Sequence, residues 1–325
     1  MDLSTKYMGL NLKNPIIVGS CGLTGTLEGV MEMEENGAGA VVLKSLFEEQ
    51  ITMEISNSTT NLYTQHTEAN DYFRYYEKMY HVEKYIDLIK QCKSKTSIPI
   101  IASINCRTAD DWTTFAKKIE KSGADGLELN IFLLPSDSDR ENQISEQLYI
   151  DIIRKVKENI KIPIALKIGY YFTNLATFIN RLSQQEVEAL VLFNRFFSSD
   201  IDIDDEKIII GNSFSTPIEY LIPLRWIALL SDNTDCDLCA TTGIHSGKSV
   251  IKQLLAGAQA VQMVSSLYLN KSEHLKKVLS DLENWMATKN YKSISDFRGK
   301  LSQSQIKDPS LFERVQFMKY QDATI

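Results

Sequence analysis

The amino-acid sequence predicts an α/β protein built as an eight-stranded, parallel (β/α)₈ TIM barrel. Short apolar runs alternate with segments of helical spacing along the chain, a pattern typical of parallel strands that are buried on both faces. Eight such strands can be counted, and most of them end in polar residues. The alternative is a doubly wound sheet, but its G-x-G-x-x-G fingerprint is absent, because Gly19, Gly22 and Gly25 do not match it.

Composition indicates one globular domain that spans residues 1–325, with 43% hydrophobic residues and no linker-like stretch. The formal charge of −7 argues against nucleic acid or an acidic membrane as the main partner. We expect neither a transmembrane helix nor a signal peptide.

Five cysteines, an odd number, suggest free thiols in a reducing cytoplasm. The pair Cys236 and Cys239 fits buried structural thiols better than a metal site, so no metal is expected.

The first half of the chain contains the first four strands and a long insertion. The predicted strands are Ile16–Ser20, Ala40–Ser45, Ile100–Asn105 and Leu127–Ile131, and the helices are Leu27–Asn36, Val82–Lys93 and Asp110–Ser122. The connection after the second strand, Leu46–His81, is too long and too aromatic for a simple βα loop. It predicts an active-site lid, with an ordinary covering loop or a dimer contact as alternatives.

The second half continues the same alternation. The predicted strands are Ile164–Ile168, Ala189–Asn194, Leu238–Thr241 and Ala260–Val264, and the helices are Glu141–Glu158, Leu175–Ser183, Leu224–Ser231 and Ser249–Leu255. Gly257 is predicted to cap the last of these helices. A second long insertion, Arg195–Pro223, follows the sixth strand and contains the apolar run Ile208–Ile210, which suggests one strand of a small hairpin.

The last two strands end in small residues that suit an anion. Thr242 and Gly243 follow one strand, and Ser265 and Ser266 follow the next. Such turns leave backbone N–H groups free, and in (β/α)₈ barrels the loops after strands seven and eight commonly hold a phosphate. The alternative is a tight crossover in which Gly243 serves only the turn.

Two lysines, Lys44 and Lys167, stand in otherwise apolar strands near their carboxyl ends. A buried lysine needs an anionic or electron-rich partner, because burial disfavours its charged form. Two lysines, several amides and hydroxyls, and a phosphate turn together suit flavin mononucleotide (FMN), whose ring edge alternates hydrogen-bond acceptors and donors. A salt bridge to a neighbouring carboxylate such as Glu128 is the alternative for either lysine.

Motifs along nearly the whole chain resemble one family: NPIIVGSCGLT, VLKS, GLELN, PIALKIGYYFTNL, LVLFN, TTGIHSGKSVIKQLLAGAQAVQMVSSLY and DLENWMATKNYKSISDFRGKL. The chain resembles the dihydroorotate dehydrogenases, particularly their soluble class 1 branch. The resemblance implies an FMN-binding barrel that oxidises dihydroorotate in pyrimidine biosynthesis. It also implies a small planar anionic substrate, a soluble electron acceptor and a homodimer.

The resemblance assigns roles to individual residues. It implies cofactor contacts for Gly19, Ser20, Lys44, Ser45, Asn130, Lys167, Gly243, Ser265 and Ser266. Asn105 and Thr242 are further cofactor-binding candidates, because they stand at strand ends that converge on the same mouth of a barrel. The resemblance places Lys167 at the flavin edge and makes it the first catalytic candidate. Substrate contacts are implied for Lys44, Asn130 and Asn194.

The sequence departs from the family where the general base belongs. The family places a cysteine or serine three residues after the strand-four asparagine, and here that position is Leu133. Either Ser136 on the same loop or Cys106 after the third strand substitutes as the base, or the substrate differs and is a related dihydropyrimidine or an unrelated enone. Arg195 also follows Asn194 where the family usually has a small hydroxyl residue.

Two further hypotheses use the same strand-end residues. A flavin-free barrel could act as an isomerase or aldolase on a phosphorylated small molecule, and it would be colourless. A flavin-binding paralogue could lack dihydroorotate turnover, which the missing base would explain.

Overall fold

The computed structural model describes residues 1–47, 67–106, 109–137, 141–196 and 198–314. An antiparallel hairpin, Thr5–Tyr7 (β1) and Leu10–Leu12 (β2), precedes a closed barrel. The barrel strands are Ile16–Val18 (β3), Ala40–Val42 (β4), Ile100–Asn105 (β6), Gly126–Asn130 (β7), Ile164–Ile168 (β8), Ala189–Leu192 (β9), Asp237–Ala240 (β12) and Ala260–Met263 (β13). They are parallel neighbours in that order, and β13 pairs with β3 to close the ring. The predicted eight-stranded barrel is confirmed, and the doubly wound sheet is rejected.

Helices surround the barrel. They are Leu27–Glu35 (α1), Thr67–Lys95 (α2), Ala109–Lys121 (α3), Asn142–Lys157 (α4), Leu175–Ser183 (α5), Leu221–Leu230 (α6), Gly247–Ala256 (α7), Ser265–Asn270 (α8), His274–Thr288 (α9) and Ser310–Glu313 (α10). Gly257 ends α7 with φ +118°, the left-handed conformation that favours glycine, so its predicted capping role is confirmed.

The first insertion differs from its prediction. Leu46–Phe47 (β5) forms a short strand beside β6, and α2 begins at Thr67 rather than at Val82. The predicted lid Leu46–His81 is therefore partly helical, and its middle, residues 48–66, lies outside the described residues. The helical start was missed because the stretch before Val82 is rich in aromatic and polar residues without a clear apolar period.

The second insertion contains the expected hairpin, Ser199–Asp202 (β10) and Lys207–Ile210 (β11). Helix α6 begins at Leu221, so Pro223 falls inside it instead of ending the insertion. Proline is tolerated there because amide groups in the first helical turn have no partner within the helix.

The hairpin β1–β2, which was not predicted, closes the amino end of the barrel. Tyr7, Met8 and Leu12 are buried among the side chains that fill the barrel interior. The Met8 amide donates to Asp237 Oδ2 at 2.8 Å, and a Cβ on Gly126 would lie only 2.7 Å from Met8 Cε. With this end filled, the carboxyl ends of the strands form the mouth of the barrel.

Cys239 is buried in the barrel interior and Cys236 is partly buried, and no cysteine is in a disulfide. Burial and neighbouring carboxylates raise the pKa of Cys236 to about 12.

Within the described ranges, no cluster of His, Cys, Asp or Glu could hold a metal ion. Likewise, no described helix is long and apolar enough to cross a membrane.

Candidate active site

A cavity of about 360 Å³ opens at the mouth of the barrel. Of the residues expected at the site, it is lined by Ser20, Lys167, Asn194, Thr242, Gly243 and Ser265. A larger depression of about 1260 Å³ lies at the opposite end, beside β1 and Arg298. We place the active site at the mouth, because (β/α)₈ enzymes bind their ligands at the carboxyl ends of the strands.

Lys167 on β8 belongs to a buried polar network at the cavity floor. Its Nζ donates to Gln262 Oε1 at 3.1 Å and lies 3.7 Å from Glu128 Oε1. Gln262 Nε2 in turn donates to Glu128 Oε2 at 2.5 Å. Lys167 therefore lines the cavity at the mouth, as expected, and it also forms an ion pair with Glu128, which was the alternative interpretation.

The described tyrosine and cysteine side chains that interact with Glu128 have raised pKa values. Burial raises the pKa of Tyr7 and of Cys239, and both values are raised further by nearby carboxylates. Burial likewise raises the pKa of Tyr85, whose hydroxyl donates to the Ser103 carbonyl. Among the residues that the structure describes, Glu128 and Lys167 are the only buried charged side chains.

Two asparagines predicted to contact substrate are brought together. Asn194 Nδ2, which follows β9, donates to Asn130 Oδ1 at the end of β7 over 2.6 Å. This contact uses one donor of Asn194 and leaves the Asn130 amide with both of its own donors. The pair can therefore present N–H groups to a carbonyl-rich ring.

Gly19, which follows β3, is required by the packing at the cavity floor. A Cβ at this position would lie 2.9 Å from Val264 Cγ2 and 3.1 Å from Gln262 Oε1. Any larger residue would displace the glutamine that binds Lys167. This contact gives Gly19 a structural role besides its predicted place beside the flavin.

The seryl residues form a chain of hydroxyls. Ser20 Oγ accepts from the Ser45 amide at 2.8 Å, and Ser45 Oγ lies 2.7 Å from Ser103 Oγ. Lys44, next to Ser45, is exposed and lines a separate cavity of about 680 Å³ together with Tyr80. The expectation that both lysines lie in an apolar interior is therefore wrong for Lys44, whose side chain leaves the strand on the solvent side.

The two predicted phosphate turns differ in the structure. Ser265 and Ser266 begin helix α8 instead of forming a turn, whereas Thr242 and Gly243 form a turn with an unusual backbone conformation. Thr242 and Gly243 both have φ +75°, which is strained for a β-branched residue such as threonine. A Cβ on Gly243 would lie 2.1 Å from the Tyr220 amide nitrogen, so glycine is required by packing as well as by the turn. The Ser266 hydroxyl donates to the Ile244 carbonyl at 3.0 Å and is buried, so it joins the start of α8 to the turn after β12.

Residues 211–220 cover one side of the cavity, and Arg195 holds them there. Its Nε donates to Glu219 Oε2 at 3.0 Å and its Nη1 to the Asn212 carbonyl at 2.8 Å. The Ser215 amide donates to Ser265 Oγ at 2.9 Å. We call residues 211–220 the cover segment.

The two candidate bases are not at this cavity. Ser136 lies on an exposed loop, where its amide donates to the Leu134 carbonyl. Cys106 is buried after β6, next to the half-buried Asn105. None of these residues lines the cavity that contains Lys167, and Leu133 lines a small one of about 60 Å³. Their catalytic and cofactor roles stay predictions.

Sequence reasoning missed two features of the site. Gln262 interrupts the apolar strand β13, which is the same signal that identified Lys167. An aromatic cluster also converges beside the mouth, where the Phe196 ring lies 4.3 Å from both Phe132 and Tyr171. These aromatic residues are visible in the sequence, but nothing local indicates that three separate loops bring them together.

The chain is a (β/α)₈-barrel enzyme. Its barrel is closed, and the mouth contains a buried lysine and two strand ends with amide side chains. The sequence model of the family described as dihydroorotate dehydrogenase matches residues 2–286. The chain belongs to the dihydroorotate dehydrogenase family. Its members are oxidoreductases that act on CH–CH groups, so the isomerase or aldolase hypothesis is not supported.

Individual relatives are distant but match over nearly their full length. The catalytic subunit of dihydroorotate dehydrogenase B (NAD(+)) from Thermoplasma acidophilum is 24% identical over 315 residues, covering 92% of this chain and 98% of the relative. The protein of the same name from Methanocaldococcus jannaschii is 26% identical over 300 residues, covering 89% and 94%.

Proposed function

We propose that the protein binds FMN at the barrel mouth and oxidises dihydroorotate, or a related dihydropyrimidine, in pyrimidine biosynthesis. The observation that carries this proposal is the position of Lys167 at the floor of a cavity whose rim contains the turn at Thr242–Gly243 and Ser265. Membership of the dihydroorotate dehydrogenase family supports it.

The donors around the cavity fit the chemistry of FMN. Lys167 and the amides of Asn130 and Asn194 suit the alternating acceptors of a flavin edge, and the chain segments after β12 and β13 offer backbone N–H groups to a single phosphate. When bound, FMN supplies the acceptor for the hydride that leaves the substrate. No G-x-G-x-x-G fingerprint for a dinucleotide follows the first barrel strand.

The chain's own groups bind and orient the reactants. Lys167 donates a hydrogen bond from the cavity floor, the Asn130–Asn194 pair orients a planar ring, and the cover segment limits access of water to the cavity. Lys44, although exposed, stands beside Ser45 and is proposed to attract the substrate carboxylate. Ser136 or Cys106 is proposed to accept the proton, which requires the loop 131–137 or the end of β6 to approach the ring.

Cofactor identity is tested by heating the purified protein and measuring the molecular mass of the released flavin by mass spectrometry. Recovery of FMN supports the proposal, and recovery of FAD, or of no flavin under conditions that retain it, contradicts it.

The role of Lys167 is tested by anaerobic titration with dihydroorotate, which follows the loss of flavin absorbance. Lys167→Ala should slow this bleaching more than Lys118→Ala does, and equal small effects would remove Lys167 from the reaction.

The proton acceptor is tested by three variants in the same bleaching assay. A positioned general base contributes about 10²–10⁴-fold to the rate. If Ser136 or Cys106 is the base, the corresponding alanine variant should lose a factor of that size. If neither matters and Leu133→Cys raises the rate, the chain lacks a substitute base, which favours the flavin-binding paralogue without dihydroorotate turnover.

We further propose that the protein is a cytoplasmic homodimer that uses a soluble electron acceptor. Support comes from the class 1 resemblance, and the relatives named above carry NAD(+) and "catalytic subunit" in their names. Light scattering after size-exclusion chromatography measures the mass. A monomer at micromolar concentration would contradict the dimer, and reoxidation of the reduced flavin by candidate acceptors identifies the acceptor.

A further inference from the structure

Three buried polar side chains meet across the barrel interior, although their strands are not all neighbours. Glu128 lies on β7, Lys167 on the adjacent β8, and Gln262 on β13, on the opposite side of the ring. Their exposed fractions are 1%, 9% and 1%. We call these residues the interior triad.

Gln262 uses both ends of its amide within the interior triad. Its Nε2 donates to Glu128 Oε2, and its Oε1 accepts from Lys167 Nζ at 3.1 Å. The direct approach of Lys167 Nζ to Glu128 Oε1, at 3.7 Å, is longer than a hydrogen bond. The ammonium group is therefore positioned by the glutamine, while the carboxylate acts on it from a distance.

The surroundings make this arrangement specific. Glu128 Oε1 is buried and accepts no hydrogen bond from the described residues, so Lys167 is its electrostatic partner. Gly19 leaves the space that Gln262 occupies. Lys167 has three N–H donors and gives one to Gln262, which leaves donors for a ligand in the cavity that it lines.

We propose that Gln262 and Glu128 are positioning residues for Lys167, which set the location and the effective charge of its ammonium group beneath the bound cofactor. Gln262 keeps the ammonium group at the cavity floor, away from Glu128. Glu128 offsets part of the positive charge. The inference rests on the proposed function, because its consequence is the reduction potential of bound FMN.

The two residues should change that potential in opposite directions. Reduction adds negative charge to the flavin, so Glu128→Gln, which removes a nearby negative charge, should raise the midpoint potential. Gln262→Met should lower it, because Lys167 then moves towards Glu128 and away from the cavity. We expect each shift to reach a tenfold change in the ratio of reduced to oxidised flavin, or about 30 mV for two electrons. Equilibration with reference dyes measures the potential.

A matched variant controls for charge and for the loss of an ion pair. Glu188 pairs with Lys157 at the amino end of the barrel, so Glu188→Gln makes the same chemical change far from the mouth. It should leave the potential unchanged. A general loosening of the site would move both triad variants in the same direction. Shifts of the same sign, or no shift larger than that of Glu188→Gln, would overturn the inference.

If Glu128→Gln does not fold, substitutions of Gln262 carry the test. Gln262→Leu removes both hydrogen bonds of the amide without adding a charge, and it should lower the potential as Gln262→Met does. An unchanged or raised potential in both variants contradicts the proposal.

The flavin-free protein separates failure of this inference from failure of the proposed function. Lys167→Met leaves the buried Glu128 without a cation, so it should lower the melting temperature. Adding Glu128→Gln should restore part of that loss, because the buried charge is then gone. Additive effects of the two changes would overturn the pairing. If no FMN is retained by the unchanged protein, the proposed function fails, and this double-mutant cycle still decides whether the two side chains are coupled.

Discussion

Two consecutive residues with positive φ, Thr242 and Gly243, form the turn after β12. Positive φ is uncommon in residues other than glycine and concentrates at functional sites. The turn is also constrained from outside, because the backbone of Tyr220 approaches Gly243 so closely that no Cβ fits. The conformation proposed to bind phosphate is thus fixed by tertiary packing as well as by local preference.

Gly243→Ala is expected to destabilise the protein more than a glycine change that introduces only backbone strain. The matched variant is Gly123→Ala, since Gly123 has φ +90° but no atom within 4 Å of the new Cβ. Gly123→Ala should cost about 1 kcal/mol. Gly243→Ala should cost about 2 kcal/mol more, from overlap with Tyr220. Urea unfolding measures both changes, and equal costs would show that the turn relaxes away from Tyr220.

The element that closes the amino end is the hairpin β1–β2, through Met8. Met8→Ala is expected to lower the free energy of unfolding by about 2–5 kcal/mol, because it leaves a cavity in the barrel interior. Ile144→Ala is the control, since Ile144 is 59% exposed, and it should change stability by less than about 0.5 kcal/mol. Similar small losses for the two variants would mean that the hairpin does not support the barrel.

The cover segment is a second element with a testable property, the pH dependence of its attachment. Partial burial raises the pKa of Glu219, but hydrogen bonds from the Thr216 amide and from Arg195 outweigh this effect and hold the pKa below its ordinary value of 4.5. Because the pKa is lower in the folded state, the carboxylate stabilises the protein above about pH 4.5. That contribution is lost as the pH falls through the folded-state value.

Glu219→Gln should therefore cost most stability near pH 7, about 1 kcal/mol after allowance for solvent screening. The difference from the unchanged protein should shrink towards pH 3. Urea unfolding over this pH range measures it, with Glu283→Gln, an exposed carboxylate on α9, as the control. A difference that does not depend on pH would mean that the ion pair with Arg195 does not attach the cover segment.

At the scale of the whole molecule, the barrel joins the beginning of the chain to its end. Val18 on β3 pairs with Met263 on β13, and the Gly19 amide donates to the Met263 carbonyl at 3.1 Å. Neither half of the chain can complete the ring without the other. The organisation of residues 1–325 as one domain stays a prediction.

Spectroscopic probes in distant parts of the barrel should accordingly report a single unfolding transition. The chain has three tryptophans, of which Trp112 lies on α3 and Trp285 on α9. Variants that retain only one of these two, with the others changed to phenylalanine, should show the same denaturant midpoint. Separate midpoints would indicate two independently unfolding units and contradict the single domain.

The sequence by itself determined the barrel, the order of its elements and part of the site. Apolar periodicity is a local property, so strands such as Ile100–Asn105 and Ile164–Ile168 were predicted with the observed bounds. The convergence of Asn130 and Asn194 also followed from sequence, because parallel strands bring their carboxyl ends to one face. Resemblance to the family added FMN and the substrate class as expectations.

Only the tertiary structure decided which side chains act on one another. Lys44 and Lys167 have the same signature in sequence, yet one is exposed and the other is buried against Gln262 from the far side of the ring. The interaction of Arg195 with Glu219 and the approach of Tyr220 to Gly243 likewise join distant segments. The physical reason is that side-chain facing in a closed barrel depends on the tilt and register of all eight strands, which no single strand of three to six residues encodes.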